Sequence, residues 1–252
     1  MSHELVLDLA TAMGTSRVTL RVPEGPLTLA ALVPFAQALT GTLVERAVER
    51  QEAEGRTISC RAGCGACCRQ LVPLSIPECF ALADVIVAMD EPRRDAILAR
   101  FDALEAQVAK TGLLPALEAA ARGETTDAQD LGFRYLALGI PCVFLEEESC
   151  SIHPERPTAC RDYLVTSPAS HCASQGKLPL FKVPTPVLLS EVLARVTARL
   201  LGEPPVVVSM TVAMGWVDSH TDLAFRTWPS LELMRVLLEE LGVAVPWRRQ
   251  DG

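Results

Sequence analysis

The sequence predicts a mainly α-helical protein: a single irregular helical domain around a cysteine-rich region, with a short β hairpin or strand at its N-terminus. Three observations support this prediction. Apolar residues repeat at helical spacing over much of the chain, the N-terminal residues alternate between apolar and polar, and eight of the nine cysteines form two groups. A chain of 252 residues, 49% hydrophobic, can bury a sizeable core without disulfides.

The first two elements follow from local periodicity. Residues 4–22 include Val18, Leu20 and Val22 with polar residues between them, which predicts a strand or hairpin with one exposed face. Residues 34–54 repeat apolar side chains at helical spacing and gather charged residues toward their end. We therefore expect a long helix that leads directly into the first cysteine group.

Further helices are predicted between and after the two groups. Ser75 and Glu78 have the spacing of a capping box and Pro77 suits a first helical turn, so a helix begins there and reaches about Met89. The other helices are predicted over 90–111, 115–122, 128–138, 186–201 and 230–241.

No repeat or linker divides the chain. We expect one domain over residues 1–252, with a cysteine-cluster region at about 58–172 and a helical region at 176–252. The N-terminus lacks the basic and apolar segments of a secretory signal, and the apolar run 204–217 is too short to span a membrane as a helix. These features predict a cytoplasmic protein with reduced thiols and no membrane association.

The overall charge argues against nucleic acid as a partner. The formal net charge is −8 and only 5% of the residues are aromatic. Binding to phosphate backbones needs clustered lysine and arginine, and single strands need stacking platforms. We therefore expect no nucleic-acid partner.

The first cysteine group reads CRAGCGACC and contains Cys60, Cys64, Cys67 and Cys68. Short gaps and intervening glycines allow neighbouring sulfurs to converge on one metal ion at roughly 2.3 Å. The same spacing would also place the thiols on one face of a helix, but two glycines within five residues make a regular helix unfavourable. Adjacent Cys67 and Cys68 point in different directions, so they serve different metal ions or one of them is structural.

The second group is Cys142, Cys150, Cys160 and Cys172, and its gaps are longer. Four prolines interrupt helix in this stretch, which predicts an irregular loop that needs support from elsewhere. Metal ligation supplies such support, because it contributes folding energy directly. The predicted fold is therefore an irregular helical domain around a cysteine-rich metal site, with metal ligands Cys60, Cys64, Cys67, Cys68, Cys142, Cys150, Cys160 and Cys172.

The two groups together resemble the YkgJ-type cysteine cluster family of zinc- or iron-chelating proteins. The pattern CxxxCxxCC is followed far downstream by PCxFL, CxI and RPxxCR, and it covers about residues 58–172. His153 departs from the pattern, since the family usually has tyrosine there. The resemblance implies metal binding and places Arg156 and Arg161 in structural or supporting positions at the site.

Thiolate ligands suit zinc, iron or a 4Fe–4S cluster rather than magnesium or calcium. Eight thiolates could hold two tetrathiolate zinc ions, or one four-cysteine cluster with four residues to spare. His153 and His171 neighbour cysteines but fit no firm ligand spacing. Cys79 lies outside both groups and is expected to be a buried apolar residue. Arg61 and Arg69 could favour thiolates or pair with surface carboxylates.

The leading hypothesis is a metal-binding protein that chelates zinc or iron through two groups of cysteines. The sequence favours this over an enzyme but leaves the enzyme question open. The alternative is an iron–sulfur-dependent redox or group-transfer enzyme related to the flagellin lysine N-methylases, whose cysteine cluster is similar. No glycine-rich nucleotide motif accompanies it. A thiol-based redox sensor that releases metal on oxidation is a third hypothesis.

Overall fold

The computed structural model describes residues 2–124 and 127–243. The fold is mainly helical, as predicted, and the described residues also form small two-stranded sheets, of which only the N-terminal hairpin was predicted. In chain order, the described strands and α-helices are β1 (Ser2–Thr11), β2 (Gly14–Pro23), β3 (Pro26–Thr28), α1 (Val33–Ala53), β4 (Pro73–Ser75), α2 (Ile76–Val87), α3 (Glu91–Ala109), α4 (Leu114–Ala121), α5 (Ala128–Leu138), β5 (Leu145–Glu146), β6 (Ser149–Cys150), α6 (Thr158–Arg161), α7 (Leu189–Leu201), β7 (Val207–Ser209), α8 (Ala213–Asp218), α9 (Thr221–Ala224), β8 (Thr227–Pro229) and α10 (Ser230–Glu240).

Strands β1 and β2 form the predicted N-terminal hairpin. They pair antiparallel, from Ser2 opposite Pro23 to Thr11 opposite Gly14. Side chains alternate between the two faces of a strand, so one face of the hairpin packs on the core while the other faces solvent. The buried face consists of Leu5, Leu7, Leu9, Val18, Leu20 and Val22.

Two short sheets join segments that are far apart in the sequence. Strand β3 pairs antiparallel with β8, and β4 pairs antiparallel with β7. Helices α2, α7 and α10 contribute side chains to one hydrophobic cluster that also includes the buried face of the hairpin. Cys79 on α2 is fully buried in this cluster, which confirms its predicted role as an apolar residue.

Helix α2 begins at the predicted capping box. The backbone N–H and hydroxyl of Ser75 donate to Glu78 Oε2 at 2.9 and 2.7 Å. This helix starts at the end of β4, which is the segment that immediately follows the first cysteine group. The cap therefore fixes the exit of that group into the core.

Helix α7 differs from the prediction at its start, since it begins at Leu189 rather than Pro186. Leu188 has extended dihedral angles (φ −93°, ψ 109°), and Val183 N donates to Leu164 O at 2.8 Å. The segment before α7 therefore pairs with the backbone of the cysteine region and is not helical. Part of the predicted 176–252 helical region, residues 244–252, lies outside the described residues. Among the described helices, none is long and apolar enough to cross a membrane.

Candidate metal centre

The first cysteine group lies on tight turns between α1 and β4. Cys64 N donates to Arg61 O at 3.2 Å, and Cys68 N donates to Gly65 O at 3.0 Å. Gly63 has a φ of +76°, in the left-handed region that glycine adopts without strain. The CRAGCGACC segment is therefore a series of turns, as its two glycines predicted, and not a helix.

The second group lies on short elements joined by loops. Cys142 precedes β5, Cys150 ends β6, Cys160 is in the single-turn helix α6, and Cys172 lies in the 3₁₀ turn 169–173. This agrees with the irregular structure predicted from the prolines. Each sulfur is held by a different small element, so its position depends on contacts elsewhere.

Direct contacts join the two groups. Cys142 N donates to Cys68 O at 2.7 Å, and Ser59 N donates to Val165 O at 2.9 Å. Gly65 packs so closely on the β5–β6 hairpin that an added Cβ would lie 2.4 Å from the Leu145 side chain. Glycine is therefore required at the point where the first segment crosses the second.

An ion pair between Arg69 and Glu148 also joins the first cysteine segment to the β5–β6 hairpin. Arg69 donates to the two carboxylate oxygens of Glu148 at 2.6 and 3.0 Å, and also to Gly65 O at 3.2 Å. Of the two roles considered for Arg69, the structure supports the carboxylate pair. Glu147 and Glu148 form the hairpin turn with φ values of +49° and +58°, a conformation that costs energy for residues other than glycine.

Five of the eight predicted ligands line one cavity of about 240 Å³. They are Cys60, Cys64, Cys67, Cys160 and Cys172. The pKa of Cys172 is raised to about 11 by burial and by the charges of Cys67, Cys60 and Cys64.

The other three predicted ligands, Cys68, Cys142 and Cys150, are not among the residues that line this cavity. The pKa of Cys68 is raised by its hydrogen bond to Cys67, by burial, and by the charges of Cys67, Cys142 and Cys150. The bond to Cys68 in turn lowers the pKa of Cys67 to about 7. The charge of Cys67 therefore acts on the pKa of Cys68 and on that of Cys172.

Backbone hydrogen bonds also influence the thiols. Burial raises the pKa of Cys142 to about 11, and a hydrogen bond with the backbone of Phe144 opposes that rise. Burial likewise raises the pKa of Cys150, and a hydrogen bond with the backbone of Ile152 opposes that rise. Backbone N–H groups directed at sulfur stabilise the thiolate form, which is the form that binds metal.

Arg156 lies among the thiols, as its position in the family pattern implied. It lines the same cavity, and its charge lowers the pKa of Cys67 and opposes the raised pKa of Cys60 and Cys150. Its carbonyl accepts hydrogen bonds from Arg161 Nε at 2.9 Å and Gln37 Nε2 at 3.2 Å. Within the described residues, its buried Nε has no hydrogen-bond partner.

The other histidine and arginine candidates differ in whether they line the cysteine cavity. His153 lines the cysteine cavity, whereas His171 Nδ1 lies 2.7 Å from Pro179 O. Arg61 also lines the cavity but is exposed. Arg161 holds the backbone of Arg156 and Pro154, which is the structural role that the resemblance implied.

One supporting residue was recognised from sequence only as a helix cap. Glu78 is buried, and its Oε1 accepts from Thr158 N at 2.8 Å and Thr158 Oγ1 at 2.7 Å. Thr158 begins α6, the helix that bears Cys160. The capping box revealed the bond to Ser75, but no local signal reveals a partner that is 80 positions away.

The sulfurs are gathered but do not converge on a single point. Among the described residues, which include all eight clustered cysteines, no three Cys, His, Asp or Glu side chains form a ready-made metal-ion site. The donor chemistry nevertheless fits a soft metal, since thiols and a cationic arginine line the cavity. Binding would have to draw the sulfurs closer together, and short, irregular segments bear all of them.

Comparison with known proteins agrees with the cysteine pattern. Residues 59–176 match the family model CxxCxxCC, described as "Putative zinc- or iron-chelating domain". Residues 59–176 are therefore similar to this domain. The match spans all eight clustered cysteines, as well as Cys79, and agrees with the predicted region 58–172. No curated protein and no solved structure matches the chain.

Proposed function

We propose that the protein binds zinc or iron through the eight cysteines of its CxxCxxCC domain and acts as a metal-binding protein. One observation supports this most strongly. Two cysteine segments more than 70 residues apart are folded directly onto each other, with Cys142 N bonded to Cys68 O at 2.7 Å. Eight thiols brought together in this way have a clear chemical use, since clustered thiolates are strong ligands for both metals.

The arrangement favours two neighbouring metal positions. Cys60, Cys64 and Cys172 would supply three ligands to one position. Cys68, Cys142 and Cys150 would supply three to the other. Cys67 lines the cavity of the first set and would complete its tetrathiolate. Cys160, whose pKa is raised by burial and by the charges of Cys142, Cys67 and Cys150, would complete the second. Adjacent Cys67 and Cys68 would then serve different ions, which is one of the two alternatives inferred from sequence.

Arg156 supports this proposal through charge. Four thiolates around a divalent ion carry a net charge of −2, and a neighbouring cation offsets part of it. Arg156 influences cysteines of both sets, and its unpaired Nε, judged among the described residues, leaves a donor free for sulfur. The site would operate with reduced thiols, for which a cytoplasmic location is suitable.

The test is metal analysis of anaerobically purified protein. Zinc, iron and acid-labile sulfide are measured together with the visible absorption spectrum in the wild type, in Cys64→Ser and in Cys142→Ser. Cys79→Ser is the matched control, because Cys79 is buried outside both sets. We expect metal in the wild type and in the control, with each cluster variant losing the metal of its own position.

Two results would change the proposal. Stoichiometric iron and sulfide with visible colour would identify a cluster and favour the redox or group-transfer alternative. Absence of metal from the wild type, in protein that is folded by circular dichroism, would rule out chelation as its function.

A further inference from the structure

A methionine sulfur lies against the second cysteine group. Cys142 Sγ is 3.6 Å from Met210 Sδ, and the thiol donates a hydrogen bond to the thioether. Met210 stands 68 positions after Cys142, directly after β7, and outside the matched residues 59–176. The contact therefore joins the cysteine region to a part of the chain that the family pattern does not include.

Backbone hydrogen bonds fix both residues relative to the first cysteine segment. Cys142 N donates to Cys68 O at 2.7 Å, and Met210 N donates to Val72 O at 2.9 Å. The exposed fraction of Met210 is 6%, so almost all of its side chain packs against protein. Three segments that are distant in the sequence thus meet where Cys142 and Met210 touch.

The distance between the two sulfurs is close to the one that a shared metal ion requires. Two ligands at roughly 2.3 Å from a tetrahedral ion are about 3.8 Å apart, and the observed separation is 3.6 Å. An ion could therefore contact both sulfurs after only a small shift of either side chain. A buried methionine often fills space in a core, but packing alone does not require its sulfur to face a thiol.

Metal binding would change this contact chemically. In the metal-free protein, the hydrogen of the Cys142 thiol is directed at Met210 Sδ. Metal binds the thiolate, so Cys142 would release this proton to solvent when it becomes a ligand. Lone pairs of two sulfurs would then face each other, which is unfavourable unless a cation takes the place of the proton.

The net charge also favours a thioether at this position. Four thiolates around a divalent ion carry a charge of −2, whereas three thiolates and a neutral thioether carry −1. A smaller charge costs less to bury, and burial already raises the pKa of Cys142 to about 11. Thioether sulfur is a soft ligand, so it suits the same kinds of metal as thiolate.

We propose that Met210 Sδ is a ligand of the metal ion at the second position. The other ligands of this ion would be Cys68, Cys142 and Cys150. The proposal rests on the metal binding proposed above and refines its ligand set. Met210 takes the fourth place at the second position, and Cys160 is left to the first position, whose cavity it lines.

The test uses full-length protein that carries ¹³C in its methionine methyl groups and is loaded with ¹¹³Cd²⁺, a spin-active ion that binds thiolates as zinc does. The chain contains six methionines, and Met210→Leu identifies the NMR signal of Met210. We expect that signal to shift on loading and to show scalar coupling to ¹¹³Cd, which is transmitted through bonds. Cys142→Ser should lose the coupling, whereas Cys160→Ser should keep it.

Affinity supplies a second measurement. Met210→Leu removes the sulfur but keeps an apolar side chain of similar volume, so the protein should remain folded by circular dichroism. Competition with a chromophoric chelator should show that one cadmium ion binds at least about tenfold more weakly, the lower limit for residues that support metal ligands. Met234→Leu makes the same exchange at a fully buried position on α10 and should leave cadmium affinity unchanged.

The outcomes separate this proposal from chelation itself. Cadmium bound to the wild type without coupling to Met210, or equal affinity in the wild type and Met210→Leu, would overturn the role of Met210 and leave chelation by cysteines intact. A folded wild type that binds neither cadmium, zinc nor iron would overturn both.

Discussion

Arg156 is a cation among several thiols, which would have to become thiolates to bind metal as proposed. Its guanidinium lines the cysteine cavity, and its backbone is fixed by Arg161 and Gln37. Removing a cation from a group of thiols raises their pKa values, and protons then compete better with metal. The residue is therefore expected to act on metal affinity more than on folding.

Arg156→Gln should lower metal affinity about tenfold to a hundredfold, the range typical of residues that support metal ligands. Competition with a chromophoric chelator measures this affinity. Arg21→Gln, at an exposed position on the hairpin, is the control and should leave affinity unchanged. Equal affinity in the two variants would show that Arg156 does not compensate thiolate charge.

Glu78 illustrates a different role, since it connects two elements through four hydrogen bonds. Each carboxylate oxygen of Glu78 accepts one N–H and one O–H hydrogen bond. In Glu78→Gln, an NH₂ group replaces one of these oxygens, so two donors lose their acceptor. We expect a loss of about 2–4 kcal/mol in the free energy of unfolding, measured by urea denaturation. Glu118→Gln, at an exposed position on α4, should change stability by less than about 0.5 kcal/mol. A small loss in Glu78→Gln would mean that water replaces these bonds.

Asp162 should make the stability of the metal-free protein depend on pH. Burial raises its pKa to about 7, the Glu78 charge adds to this rise and Lys182 opposes it. Because the pKa in the folded state lies above its value of about 3.9 in the unfolded state, the folded chain binds more protons between these values. Stability from this residue is therefore complete at low pH and falls as the pH rises from about 4 to about 7.

Asp162→Asn should remove this part of the dependence. Its free energy of unfolding should fall less than that of the wild type as the pH rises through the same range, measured in metal-free protein by urea denaturation. Asp218→Asn, at an exposed position on α8, should follow the wild-type curve. Parallel curves for all three proteins would contradict the raised pKa of Asp162.

At the scale of elements, the crossing of the two cysteine segments at Gly65 is the critical contact. An added Cβ would lie 2.5 Å from the carbonyl oxygen of Glu148, which is backbone in a turn that Arg69 holds in place. The backbone of Glu148 cannot move away from residue 65 without a change in the β5–β6 hairpin, which bears Cys150.

Gly65→Ala should therefore cost about 1–3 kcal/mol of stability, as overpacking does, and should also reduce metal content. Gly41→Ala is the matched control: Gly41 lies in α1, and a Cβ there would meet nothing within 4 Å. It should stabilise the protein by up to about 1 kcal/mol, because alanine favours helix. Denaturant unfolding distinguishes the opposite signs, and a neutral Gly65→Ala would mean that the hairpin adjusts freely.

Elements with a local signal could be predicted from sequence. The hairpin followed from alternation at Val18, Leu20 and Val22, and the start of α2 followed from Ser75 and Glu78. The start of α7 was predicted three residues early, because pairing with the distant Leu164 segment keeps its approach extended.

Pairings between distant segments could not be predicted in the same way. Strands β3, β4, β7 and β8 are three residues each, too short for periodicity to identify. The first four cysteines could be selected because short spacing is a local property, whereas the second four were selected with the help of the family pattern. Which of the eight line the cavity, and the bond from Thr158 to Glu78, depend on tertiary contacts alone.

At the scale of the molecule, the hydrophobic core and the cysteine region are built differently. Helices α2, α7 and α10 bury apolar side chains in one cluster, whereas residues 55–72 have turns but no helix or strand. Few regular elements support the sulfurs, so a bound metal would supply much of the order there.

Metal removal should therefore loosen the cysteine region more than the hydrophobic core. After chelation, we expect faster amide hydrogen exchange in residues 55–72 and 141–183, while α2, α7 and α10 remain protected and the melting temperature falls. Hydrogen exchange with mass spectrometry measures this, and the β1–β2 hairpin is the internal control. Uniform loss of protection would show that the core also depends on metal, and no change would show that the loops fold without it.

The pairing of β4 with β7 has a consequence for the order of events during synthesis. The first cysteine group leads into β4, whose partner strand is Val207–Ser209, and Met210 N donates to Val72 O at 2.9 Å. A nascent chain that has released both cysteine groups from the ribosome still lacks the strand that holds the first group in place. Under the proposed metal-binding function, complete loading would therefore wait until most of the polypeptide has been made, and a chain that terminates before β7 would expose eight unsupported thiols to the cell.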